Sequence, residues 1–183
     1  EISKYKNSLM SPAQAIAGAE LKLHQQIAIV YKKYQEYLTK NNLVDFDDLL
    51  LLPYEILKKN EKLAEQISQK YQYIMVDEYQ DTNELQYRLL RLLCSSHNNL
   101  CVVGDDDQSI YGWRGATIKN ILNFTEHFED TKVVKLEKNY RSTDTILNHA
   151  NQLIEHNRDR LGKLLVGTRE KGDSIKVYES HDE

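Results

Sequence analysis

A chain of 183 residues, 40% hydrophobic and 28% charged, has an ordinary globular composition and can build one sizeable core or parts of two domains. No apolar run approaches the roughly 20 residues a bilayer demands, and the polar start EISKYKNSLMSP has no signal-peptide core, so a cytoplasmic location with no membrane partner is expected. A net charge of −4 argues against a simple cationic DNA-binding module; any grip on nucleic acid must draw on aromatic stacking, for which twelve tyrosines offer material, or on regions outside this chain.

Ser11 followed by Pro12 is a helix start, a capping side chain and then proline at the first helical position. Ile16, Ala19, Leu23, Ile27, Val30, Tyr34 and Tyr37 then recur at spacings of three and four, which predicts one long amphipathic helix to about Lys40. A second helical stretch begins near Asp45, with Pro53 expected to kink or end it, and a third runs from about Asn60 to Lys70. Three short apolar runs follow, at Tyr73–Val76, Leu100–Val103 and Val133–Leu136. Helical patterns separate them: Leu85, Leu89, Leu92 and Leu93, then Ile118, Ile121, Leu122 and Phe128. After Ser142, the expected N-cap, Ile146, Leu147, Ala150, Leu153 and Ile154 give one more helix.

Short buried strands alternating with helices predict an α/β fold with a parallel sheet. In such sheets ligands gather at the carboxyl ends of the strands, and the polar clusters here all follow apolar runs. Cys94 and Cys101 fit no zinc spacing and are too few for a disulfide framework; both sit among apolar residues and are expected to be buried thiols.

Three clusters carry candidate chemistry. In Val76-Asp77-Glu78-Tyr79-Gln80-Asp81-Thr82, an acid pair ends a strand, where one carboxylate can hold Mg²⁺ and the other can orient an attacking water. Such a pair also suits a solvated loop. In the run from Val103 to Gly115, Gly104 allows a sharp turn, and Gln108 can donate to a phosphate while accepting from a water. Tyr111 and Trp113, two apart, would face one side of an extended segment and form a ledge beside Arg114, suited to stacking unpaired bases at about 1–3 kcal/mol each. The bland alternative makes Trp113 a core residue. The third cluster, Asn139-Tyr140-Arg141-Ser142, places an arginine where it can reach a transferring phosphoryl group, a contact that elsewhere gives about 10³–10⁵ in rate; taken by itself, a plain surface arginine near a helix start is the better reading.

Taken together and in this order, DEYQDT, GDDDQSIYGWRGA and LEKNYRST resemble motifs II, III and IV of the superfamily 1 DNA helicases of the UvrD/Rep/PcrA type. VDFDDLL at Val44–Leu50 matches a family segment ahead of motif II, and the likeness continues through ILNHANQLIEHN, covering nearly the whole chain. The resemblance implies a partial RecA-like P-loop NTPase sheet with flanking helices and a helical N-terminal insert. Residues 1–44 would end that insert, 45–130 would complete the first motor domain, and 131–183 would start the second. It further implies Asp77 as the Mg²⁺ residue, acting through water, and Glu78 as general base. Gln108 would sense the γ-phosphate of ATP, Tyr140 would stack on adenine, and Arg141 would be the arginine finger. Phe46, Tyr111 and Trp113 would contact single-stranded DNA; Arg114 would link motif III to DNA or to the nucleotide.

The implied activity is ATP-driven 3′–5′ translocation on single-stranded DNA and unwinding of duplex junctions; no protein partner is indicated. One departure is large: GxxxxGK[ST], the phosphate cradle, occurs nowhere in the chain, nor do the family's later motifs V and VI. The chain is therefore expected to be an internal piece that stops near Ser174–Ser180 and is inactive alone. The rival readings are a helicase subunit of a recombination helicase–nuclease, a non-catalytic ATPase relative serving as a binding module, and a metal-dependent phosphohydrolase built on the acidic runs.

Overall fold

The computed structural model describes residues 1–179; residues 180–183, which include the last position of the expected stop near Ser174–Ser180, lie outside the described residues. The chain divides into two compact units, Glu1–Phe128 and Glu129–Glu183. Among the described residues the first combines several helices, and the second one helix, with one small parallel pair of strands each, a mixed α/β architecture.

The first unit opens with α1 (Ile2–Asn7), α2 (Pro12–Ala17) and α3 (Lys22–Lys40). Ser11 forms a reciprocal cap with Gln14, the Gln14 N–H donating to Ser11 Oγ at 3.3 Å and the Ser11 N–H to Gln14 Oε1 at 2.9 Å. The expected single helix is broken at Gly18, which closes α2 as its C-cap. In one straight helix Ala15 and Ala28 would stand about 20 Å apart. The break lets α2 fold back on α3, and Ala15, Ala28 and Tyr31 form one buried cluster. Burial of that cluster prevails over the helical periodicity running through residues 16–23, and glycine is the weakest ordinary residue at holding a helix together.

α4 (Asp48–Lys59) continues past Pro53, so of the expected kink or end the end does not occur. Proline removes the bond to the carbonyl one turn back, but Tyr54 and Leu57 beyond it are buried, and α4 packs on α6 and α5. α5 (Glu61–Lys70) starts where Asn60 accepts from the Leu63 N–H at 3.0 Å.

β1 (Ile74–Val76) and β2 (Leu100–Val102) pair in parallel, with Met75 opposite Cys101. Alternation decides their faces: Ile74, Val76, Leu100 and Val102 are half-buried, while Met75 and Cys101 share an open face. Cys101 is thus exposed, against the sequence expectation, whereas Cys94 is buried and its thiol pushed up by burial. α6 (Glu84–Leu93) lies between the strands in sequence, and α7 (Lys119–Leu122) and α8 (Phe124–His127) close the unit.

In the second unit β3 (Lys138–Asn139) pairs in parallel with β4 (Val166–Gly167), and α9 (Asp144–Ile154) packs on β4. The N-cap of α9 is Thr143 rather than Ser142. Val133, Val134 and Leu136 form no strand and are exposed, correcting the third expected apolar strand. Pairing begins only where the Val166 N–H reaches the Glu137 carbonyl, one residue past the apolar run. A strand exists by its neighbour, and among the described residues none flanks 133–136.

Candidate nucleotide and nucleic-acid site

The loops that leave β1 and β2 are laced together before any side chain acts. The Val103 N–H donates to the Val76 carbonyl at 2.8 Å, and the Tyr79 N–H to the Val103 carbonyl at 3.0 Å. Asp77 and Glu78 stand where β1 ends, both exposed. Asp77 Oδ1 accepts the Glu78 N–H at 2.9 Å, which leaves its other oxygen for a ligand. Glu78 adopts the left-handed conformation, φ 49° and ψ 42°, uncommon for a residue with a side chain. It is followed by a 3₁₀ turn over Tyr79–Asp81 whose anchor, Tyr79, is wholly buried and edge-on to Phe124. Burial pushes the Tyr79 phenol up to about 12.

Gln80, only 1% exposed, is the hub. Its Nε2 donates to Glu78 Oε2 at 2.7 Å, and its Oε1 accepts the Asp105 N–H at 3.0 Å. Asp105 Oδ2 in turn accepts from Gln108 Nε2 at 2.7 Å, and Ser109 Oγ donates to the Gln80 carbonyl at 3.3 Å. Glu78, Gln80, Asp105 and Gln108 therefore form one hydrogen-bonded path across the ends of two adjacent strands. Asn120, buried in α7, donates to the Thr82 carbonyl and hydroxyl at 3.2 and 3.1 Å and fixes the far side of the acid loop.

Gly104 is needed for closeness rather than for a special dihedral. A Cβ there would lie 2.7 Å from Gln80 Oε1, 2.9 Å from Ile121 Cδ1 and 3.1 Å from the Tyr79 nitrogen. A 3₁₀ turn over Asp106–Gln108 follows, and Gly115, at φ +95°, closes a further one over Gly112–Arg114. The ledge is thus a turn and not the extended segment expected. Tyr111 and Trp113 still come together, ring centroids 6.5 Å apart and planes at 49°. Arg114 joins them, its guanidinium 4.7 Å from the Trp113 ring centre and 5.5 Å from that of Tyr111. Trp113 is 67% exposed, so it is no core residue. Phe46, on the loop before α4, makes no ring contact among the described residues.

Tyr140 and Arg141 belong to the second unit, and both are exposed. Asn139 Oδ1 shapes their turn by accepting the Arg141 and Ser142 N–H groups at 2.9 and 2.8 Å, and Arg169 donates to the Arg141 carbonyl at 2.8 Å.

A family model described as the UvrD/REP helicase N-terminal domain matches residues 1–129, and one described as the UvrD-like helicase C-terminal domain matches residues 134–183. The chain belongs to the UvrD/REP helicase family. It is 48% identical over 182 residues to an ATP-dependent DNA helicase PcrA of Staphylococcus epidermidis and 47% identical to that of Staphylococcus aureus. Each match takes in 100% of this chain and 25% of the relative, so the chain spans about a quarter of the length of the curated relatives it matches. Within this UvrD/REP chain, the residues that sequence reasoning passed over are Gln80, Asp105 and Asn120. Gln80 lay in plain view between acids; its neighbours made the whole run look solvated, and only the 3₁₀ turn carries it inward.

Proposed function

We propose that this chain supplies part of the motor of an ATP-dependent DNA helicase that translocates 3′–5′ along single-stranded DNA and unwinds duplex junctions. One observation supports this above others: the hydrogen-bonded path from Glu78 to Gln108 leads within three residues to the exposed Tyr111–Arg114–Trp113 stack. A group that touches nucleotide and a group that touches DNA would thus share one short loop. The relatives are named ATP-dependent DNA helicases, in keeping with that assignment.

In this proposal Glu78 accepts the proton of the attacking water. Gln80 holds one Glu78 oxygen, and the other has no hydrogen-bond partner among the described residues. Asp77, a strand-end carboxylate with one oxygen uncommitted to the backbone, suits a hydrated Mg²⁺, which would supply charge neutralisation for the phosphates. Gln108 is held by Asp105 here; exchanging that bond for a γ-phosphate oxygen would shift the turn that carries Tyr111 and Trp113. Occupancy of the nucleotide site would then alter the grip on the bases, because the two states make different contacts. Tyr140 as the adenine platform and Arg141 as the arginine finger complete the proposal on the strength of the family resemblance.

Glu78→Gln in the natural full-length protein should lower DNA-stimulated ATP turnover by about 10²-fold or more, with ATP binding retained. The 183-residue chain alone, having no GxxxxGK[ST], should turn over no ATP. Turnover by the isolated chain that Glu78→Gln abolishes would contradict the need for that loop.

A further inference from the structure

The loop that carries Phe46 turns its acids inward and its ring outward. Phe46 is flanked by Asp45, Asp47 and Asp48, yet it is 91% exposed while Asp48 is buried. All three carboxylates are held by α1. Lys6, 0% exposed, sets its ammonium 2.8 Å from Asp45 Oδ2 and 2.8 Å from Asp48 Oδ1. Asp47 Oδ1 accepts from Ser3 Oγ at 3.0 Å and from Asn7 Nδ2 at 2.9 Å. The turn is closed from within, the Asp45 N–H donating to Asp48 Oδ2 at 3.2 Å and the Asp48 N–H to Asp45 Oδ1 at 2.9 Å. Tyr34 adds a hydroxyl to Asp45 Oδ2 at 2.9 Å.

A buried lysine is rare unless it is paired, and here the pairing has a consequence at the surface. Three carboxylates beside a stacking ring would repel a polyanionic strand; Lys6 offsets one of the two charges on Asp45 and Asp48 and draws both towards α1, and Asp47 is tethered by amide and hydroxyl. Asn7 also faces the other way. Its Oδ1 accepts from Asn83 Nδ2 at 2.9 Å, and Asn83 caps α6, the helix that follows the Asp77–Glu78 loop. One side chain therefore bridges the Phe46 loop and the segment leaving the acid loop.

We propose that α1 is a positioning element for single-strand binding: Lys6 and Asn7 hold the Phe46 loop in its ring-out form, and Asn7 ties that loop to the cap of α6. Neither residue touches DNA. The inference rests on the stacking role proposed for Phe46, and the test separates the two.

Removing Lys6 would strand buried charge, so Asn7 is the better probe. Asn7→Asp sets a second carboxylate beside Asp47, and adding Asp47→Asn gives back a donor to match it. Binding of labelled oligo(dT) to the natural full-length protein is measured together with its thermal unfolding. Phe46→Ala should weaken binding about tenfold. Asn7→Asp should weaken it roughly three- to tenfold, Asp47→Asn in the same chain should restore it to within about twofold, and Asn7→Asp should add nothing once Phe46 is Ala. Should Asn7→Asp prove too unstable to assay, Asn7→Ala, which removes both bonds and adds no charge, enters the same cycle. Equal losses with and without the ring, or full affinity in Asn7→Asp when Phe46→Ala binds weakly, would overturn the positioning role alone. Unchanged binding in Phe46→Ala would remove the stacking role and this inference with it.

Discussion

Phe46 and Trp113 both turn a large ring to solvent, but the turns beneath them are secured differently. Under Phe46 lies a buried ion cluster in which Lys6, Asp45 and Asp48 compensate one another. Under Trp113 lies a short 3₁₀ turn, a left-handed glycine and one arginine stacked at the surface. The first arrangement makes a ring position a matter of folding, because Lys6 cannot leave without stranding the buried Asp48. The second makes it a matter of local stacking, which a neighbouring loop can shift at small cost.

The largest expected effect breaks the first arrangement. Lys6→Met should cost about 3–5 kcal/mol, since it leaves the wholly buried Asp48 and the mostly buried Asp45 uncompensated. Urea unfolding measures it, and a loss below about 1 kcal/mol would mean that water reaches the cluster. Next is Gly104→Ala, which forces Gln80, Ile121 or the Tyr79 backbone to move and should cost about 1–3 kcal/mol. Its distinguishing sign would be weaker ATP turnover in the full-length protein, because a displaced Gln80 would shift the Glu78 carboxylate that its Nε2 holds.

A smaller effect follows from pH. Burial tends to raise Asp45, but hydrogen bonds from Lys6, the Asp48 N–H and Tyr34 outweigh it and hold the carboxyl below its ordinary value. A depressed carboxylate contributes stability that is present above its unfolded pKa of about 3.9 and is lost as pH falls through the folded value. Burial likewise tends to lower Lys6, and its bonds to Asp45 and Asp48 reverse that and raise it. That contribution is complete below about pH 10 and fades only as pH rises through the raised value. The stability difference between Asp45→Asn and the unaltered chain should therefore be constant well above pH 4 and shrink as pH falls below about 4 through the lowered folded value.

Much of this was legible in the sequence, for identifiable reasons. β1 and β2 announce themselves as apolar runs ending in acids, and Asn60 marks the start of α5 by composition alone. The break at Gly18 was not legible, because Ile16, Ala19 and Leu23 continue a helical period that only tertiary packing overrides. Cys101 misled because alternation in a three-residue strand leaves its central residue on one face, and nothing local says whether that face is covered. Val133–Leu136 misled in the same way, an apolar run with no strand partner among the described residues. At the site, chemistry-bearing residue types could be named from their order, whereas the link from Gln80 to Asp105 and the grip of α1 on the Phe46 loop exist only through contacts 25 to 44 positions apart.

Trp113 is the sole tryptophan of the chain, so intrinsic emission reports on one ring at the ledge. Titrating the chain with oligo(dT) while following that emission tests most directly whether this face meets unpaired bases. Saturable quenching, relieved by added salt and absent in Trp113→Phe, is the predicted result. Emission that stays unchanged while a labelled strand binds would contradict it.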